Sequence, residues 1–95
     1  MRLTHNEVKA MKESFSEVFQ NGKIYLFGSR VDDSKKGGDI DLYIQTESKN
    51  NNLKKKIDFL ILLKNKIGEQ KIDVILSKDK NRLIEQEALK TGILL

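Results

Sequence analysis

Two short segments of this chain alternate strictly between apolar and polar side chains, and that pattern limits the fold more than anything else in the sequence. In Asp39–Gln45, Ile40, Leu42 and Ile44 fall on one side, while Asp39, Asp41 and Tyr43 fall on the other. In Lys71–Leu76, Ile72, Val74 and Leu76 share one face, and Lys71, Asp73 and Ile75 share the opposite one. A period of two is the signature of a half-buried strand. The chain must therefore build a sheet with an apolar face, and helices must cover that face.

The covering elements are legible from a period near 3.6. Thr4-His5-Asn6-Glu7 reads as a capping box, and Val8, Met11, Phe15, Val18 and Phe19 follow at helical spacing. This predicts a helix from about Thr4 to Gln20, stopped by Asn21-Gly22. Lys23–Phe27 reads as a strand broken by Gly28-Ser29-Arg30, with a polar loop from Val31 to Gly38. After a polar connector over Glu47–Asn52, Leu53, Ile57, Leu60 and Ile67 mark a second helix ending near Gly68. A third helix is predicted from about Lys80 to Lys90, with Gly92 as its stop. This element order argues for one α/β domain over residues 1–95, a small sheet with helices against its apolar face.

Bulk properties narrow the chemistry. With 38% hydrophobic and 34% charged residues, the chain has too much apolar content to stay disordered. It has no cysteine, which excludes disulfides and thiolate metal sites and suits a reducing cytoplasm. MRLTHNEVKA lacks the apolar region of a signal peptide. The run IDFLILLK is far shorter than the roughly 20 residues of a membrane span, so no membrane partner is expected. The net charge of +4 suits solubility or attraction to polyphosphate.

The chemistry-bearing candidates are Asp39, Asp41 and Asp73. Asp39 and Asp41 project from one face of a strand about 7 Å apart at Cα, and Asp73 occupies the polar face of another. Alone, Asp-x-Asp is common and reads as a turn residue followed by a solvent-facing one. Register permitting, however, the three carboxylates converge where helices leave the sheet open. Converging carboxylates repel one another, and a hard cation such as Mg²⁺ supplies a reason to assemble them. Two such ions about 4 Å apart clamp the attacking and leaving oxygens of an in-line phosphoryl displacement. Gly28-Ser29-Arg30 directly follows a strand. There glycine permits close backbone approach, exposed amides can cradle an anion, Ser29 adds a hydroxyl, and Arg30 can pair with phosphate or with a nearby acid. No Walker spacing is present.

The combination is more specific than its parts. Leu26-Phe27-Gly28-Ser29-Arg30, a short loop, Gly38-Asp39-Ile40-Asp41-Leu42, and the isolated acid in Lys71-Ile72-Asp73-Val74-Ile75 resemble the DNA polymerase β-like nucleotidyltransferase superfamily. The closest resemblance is to its minimal nucleotidyltransferases, small proteins that accompany HEPN-domain proteins in prokaryotic toxin–antitoxin pairs. It covers the chain from about Lys23 to the C-terminus. It implies an α/β (α+β) fold, a small mixed β-sheet with helices packed on one face, like a polymerase palm. It further implies catalytic and metal-binding roles for Asp39, Asp41 and Asp73, with Mg²⁺ or Mn²⁺ as cofactor. Asp39 and Asp41 would ligate both ions; Asp73 would hold the ion that activates the acceptor hydroxyl and serve as its base. Gly28, Ser29 and Arg30 would bind the triphosphate of ATP, the substrate, and pyrophosphate would leave. In such pairs the acceptor is a tyrosine of the HEPN toxin, which the antitoxin adenylylates.

The chain departs from the pattern after Gly-Ser. Arg30-Val31-Asp32-Asp33 stands where many relatives carry a second arginine, a charge that Lys35 or Lys36 would have to replace. The alternative reading is therefore a catalytically weak or inactive module of the same fold that neutralises or assembles with a partner protein. Nucleic acid is a disfavoured partner, because three acids on the open face repel phosphate. His5 reads as an exposed helix-start residue, and Tyr25 and Tyr43 as sheet packing. Phe59, Ile61, Leu62 and Leu63 are apolar enough for deep burial or a partner interface. The ending Ile93-Leu94-Leu95 favours the interface, and with it a hetero- or homo-oligomer.

Overall fold

The computed structural model describes residues 1–34, 38–47 and 50–95. Lys35 and Lys36, the suggested replacement charges, lie outside them. Helix α1 (His5–Val18) begins at the expected capping box: the Glu7 amide donates to Thr4 Oγ1 at 3.1 Å, and the Thr4 amide donates to Glu7 Oε1 at 2.8 Å. Strand β1 (Lys23–Phe27) leads into a 3-10 turn over Gly28–Val31. Strand β2 (Ile40–Gln45), helix α2 (Asn52–Ile67) and strand β3 (Ile72–Leu76) follow, within a residue or so of the predicted bounds. Helix α3 (Leu83–Thr91) and a two-residue strand β4 (Ile93–Leu94) complete the chain.

The sheet order is β3-β2-β1-β4. β1 runs antiparallel to β2 and β4, while β2 and β3 are parallel, so the sheet is mixed as expected. Parallel neighbours need a crossover, and α2 provides it. The Ile40, Leu42, Ile44, Ile72 and Val74 face is buried under Met11, Phe15 and Phe19 of the α1 segment and Phe59 and Leu63 of α2. Phe15 stacks on Phe19, and Phe19 meets Phe59 edge-on, with centroids 5.8 and 6.2 Å apart.

Two helices thus cover the apolar face as the pattern required, but α3 lies on the opposite one. There Ala88 and Ile84 pack against Phe27, Tyr43, Tyr25 and Ile75. That face carries carboxylates at one end and aromatic and branched side chains beyond them, so its apolar end needs a cover of its own. Tyr43 is fully buried, its ring 5.9 Å from that of Tyr25, and its hydroxyl donates to Glu85 Oε1 at 2.7 Å. Glu85 is 1% exposed. Its other oxygen accepts from the amides of Lys78 and Asp79 at 3.0 and 2.9 Å and from Arg82 Nη1 at 3.2 Å. This network explains why α3 starts three residues later than predicted. Residues 80–82 are drawn into a turn in which the Asp79 side chain accepts from the Asn81 amide.

The apolar ending, expected at an interface, adds β4 to the edge of β1, with Leu26 opposite Ile93 and Tyr25 opposite Leu94. On α2, Phe59 and Leu63 are fully buried, whereas Leu53, Ile57 and Ile61 are 72, 49 and 55% exposed. Their spacing of four makes one stripe along the outer side of the helix. The same helix holds five lysines and one aspartate, so it alone accounts for the chain's formal net charge of +4. Among the described residues no helix is long and apolar enough to cross a membrane.

The Glu85 network sets a pH-dependent part of stability. Burial pushes the Glu85 carboxyl upward, but the Asp79 amide, the Tyr43 hydroxyl, the Lys78 amide and Arg82 outweigh it and hold the group below its ordinary 4.5. Burial, reinforced by the bond to Glu85, pushes Tyr43 up to about 12. A lowered carboxyl contributes stability above its unfolded value and loses it as pH falls through the folded one; a raised phenol loses its contribution as pH climbs from 10 towards 12. Tyr43→Phe leaves a buried carboxylate oxygen short of a donor and should cost about 1–3 kcal/mol in urea unfolding at neutral pH. Glu85→Gln should flatten the acid limb of the stability profile as pH falls below 4.5.

Candidate active site

Asp73 enters the site through strand register. In the parallel pairing of β2 with β3, Ile40 lies beside Ile72 and Asp41 beside Asp73. Paired residues of neighbouring strands project from the same face about 4.8 Å apart, so the Asp41 and Asp73 carboxylates rise together on the side away from α1 and α2. Asp39, two residues before Asp41, joins them from the loop that feeds β2. The sheet thus pairs two of the three acids that the sequence singled out and sets Asp39 near enough for its charge to reach Asp41.

The environment registers their proximity. The Asp41 carboxyl is held above its ordinary 3.8, by burial first, then by the charges of Asp73 and Asp39, with Lys71 opposing. A group raised in this way binds its proton more tightly in the folded chain, so at neutral pH its ionised form costs stability. Asp39 makes an ion pair instead, its Oδ2 3.4 Å from Lys71 Nζ.

The Gly28–Val31 turn closes the other side. Phe27, the last residue of β1, pairs with Asp41. Gly28 follows with φ +77°, and a β-carbon there would overlap Asp41 Oδ2. The expected close approach at this glycine is therefore made first of all to a carboxylate. Gly38, with φ +91°, has the matching relation to the other end of the loop, where a β-carbon would overlap Ser29 Oγ. Both glycines are required by shape as well as by backbone conformation.

Arg30, expected to meet phosphate or an acid, donates to two backbone carbonyls: Nη1 to Arg2 at 3.0 Å and Nε to Gly38 at 3.2 Å. Arg2, which the sequence reading passed over, reciprocates with Nη2 to the Ser29 carbonyl and Nε to the Asp32 carbonyl, both at 3.0 Å. A backbone bond from the Arg2 amide to the Arg30 carbonyl at 2.8 Å completes the brace. A second guanidinium therefore does stand beside Gly28-Ser29, supplied by the N-terminal segment. No spacing rule reveals a contact between residues 27 positions apart.

Among the described residues, no group of three or more carboxylate or imidazole side chains is already arrayed for metal ligation. The donor set nonetheless suits a hard divalent cation. It is all oxygen, it is crowded enough to raise Asp41, and it lies against a glycine where a β-carbon would close the space. Gly28→Ala should force Asp41 aside and strain a left-handed residue, lowering unfolding free energy by about 1–3 kcal/mol. The same change at exposed Gly68, where a β-carbon meets nothing within 4 Å, should show the conformational part of that loss alone.

A family model described as polymerase beta, nucleotidyltransferase matches residues 9–95. A search of the curated proteins finds no match. With acids paired across parallel strands beside a Gly-Ser turn and a match over nearly its whole length, this chain belongs to the polymerase β-type nucleotidyltransferase family.

Proposed function

We propose that this nucleotidyltransferase domain transfers AMP from ATP to a hydroxyl of a partner protein, with a divalent cation, Mg²⁺ or Mn²⁺, at Asp39, Asp41 and Asp73. The pairing of Asp41 with Asp73 across β2 and β3, flush against Gly28, is the observation that carries this reading. The cation, when bound, would neutralise phosphate charge and acidify the acceptor hydroxyl. The remaining work falls to the chain. Gly28 and Ser29 hold the triphosphate against the acids, and Arg30 with Arg2 keeps that turn in shape. Asp73, the more exposed of the cross-strand pair, takes the proton as the acceptor oxygen attacks the α-phosphorus and pyrophosphate departs. Nothing covalent is asked of the protein; rate comes from positioning and charge neutralisation.

The partner is inferred from the motif resemblance: a HEPN-domain toxin adenylylated on a tyrosine, with this chain as its cytoplasmic antitoxin. The exposed stripe of Leu53, Ile57 and Ile61 supports contact with another protein. A second reading, a module of this fold that holds its partner without turnover, is favoured by one observation, the engagement of Asp39 with Lys71 rather than with its fellow acids.

Incubation with ATP, Mg²⁺ and the product of the neighbouring gene should add AMP units to that product, read by intact mass. Asp41→Asn should abolish the adduct. Because Asp41 is raised by burial and then by the charges of Asp73 and Asp39, the same substitution should also raise the melting midpoint of the metal-free chain, read by thermal unfolding at neutral pH. Mg²⁺ should raise the midpoint of the unsubstituted chain and leave the variant unmoved. Tight copurification without an adduct, indifferent to Asp41→Asn and to chelator, would select the second reading.

A further inference from the structure

The acid cluster contains a cation of its own. Extending the β2–β3 register back by one pair from Ile40 and Ile72 sets Asp39 beside Lys71, and the Ile40 amide donates to the Lys71 carbonyl at 3.1 Å. Lys71 and Asp73 share a strand face, as do Asp39 and Asp41. The result is a plaque of four side chains in two rows, with Asp39 facing Lys71 and Asp41 facing Asp73. Among the described residues, the Lys71–Asp39 contact at 3.4 Å is the only ion pair made by any of the three acids. The ammonium also offsets the field of the other acids at Asp41.

Both members of the pair are well exposed, 74% for Lys71 and 43% for Asp39. A pair between side chains this accessible is weak, screened by salt and readily exchanged. It can quiet a cluster of like charges without locking Asp39 in place.

We propose that Lys71 is the counter-cation of the cation-free site: its ammonium keeps Asp39 until a divalent ion arrives, then yields it, and so sets the threshold for ion binding. Lys71 is thus a positioning residue that acts through Asp39. The inference rests on the assignment of the acids to a divalent cation. It adds that the protein carries a built-in competitor for that cation.

The test uses the full chain, Mn²⁺ titration calorimetry, and melting with and without Mn²⁺. Lys71→Met keeps the aliphatic stem and removes the charge. It should bind Mn²⁺ about 3–10-fold more tightly, melt lower without the ion, and gain more on adding it. Lys71→Arg should restore the original values. On an Asp39→Asn background, Lys71→Met should leave most of the Mn²⁺ affinity unchanged. Weaker or unaltered Mn²⁺ binding by Lys71→Met, or a midpoint lowered equally with and without the ion, would overturn the role. If the unsubstituted chain itself shows no response to Mn²⁺, the cation assignment of the acids falls and this inference falls with it. A response that Lys71→Met does not change sinks this inference alone.

Discussion

The parallel pairing of β2 with β3 is the constraint on which the rest of the molecule depends. Side chains on a strand alternate faces, so a slip of one residue would send Asp73 into the core and Ile72 into water. Burial of Ile40, Leu42, Ile44, Ile72 and Val74 on one side thus fixes the acids on the other. The hydrophobic effect does the positioning, and the electrostatic strain of neighbouring carboxylates is what the core must hold against. Strain of this kind is typical of sites whose function lies in a ligand not yet bound.

The pattern of the strands was legible in the sequence because each obeys a period of two, and α1 was legible because its first turn carries both halves of a capping box. Asp39, Asp41, Asp73, Gly28 and Ser29 could be picked out for the same reason: each sits at a fixed offset from a strand end. What could not be read depends on contacts between distant residues. Arg2 reaches Ser29 across the fold, and Glu85 is buried only because Tyr43 and the Lys78 and Asp79 amides meet it there. β4 is two residues long and is a strand only because β1 offers it an edge. The placement of α3 follows from Phe27, Tyr43 and Ile75 making the far end of the acid face apolar, a property of the assembled sheet rather than of any one segment.

Buried Glu85 and the more accessible acids of β2 and β3 are opposite uses of the same functional group. Glu85 has a donor for each oxygen and ties the β3–α3 turn, α3 and β2 into one unit. Asp41 and Asp73, paired across the strands, instead repel, with Lys71 only partly offsetting them at Asp41. A fully bonded carboxylate thus anchors α3 on the face that also carries the crowded acids.

The arrangement of charge has one more consequence. Five lysines lie on α2, behind one face of the sheet, and three aspartates lie in front of the other. These two groups of charge are therefore separated by the thickness of the sheet, positive along α2 and negative beside β2 and β3. Such a field turns an approaching molecule before it touches. A polyanion is favoured at α2 over the acid side. A cation is favoured beside Asp39, Asp41 and Asp73, so the two faces of one sheet offer opposite local fields.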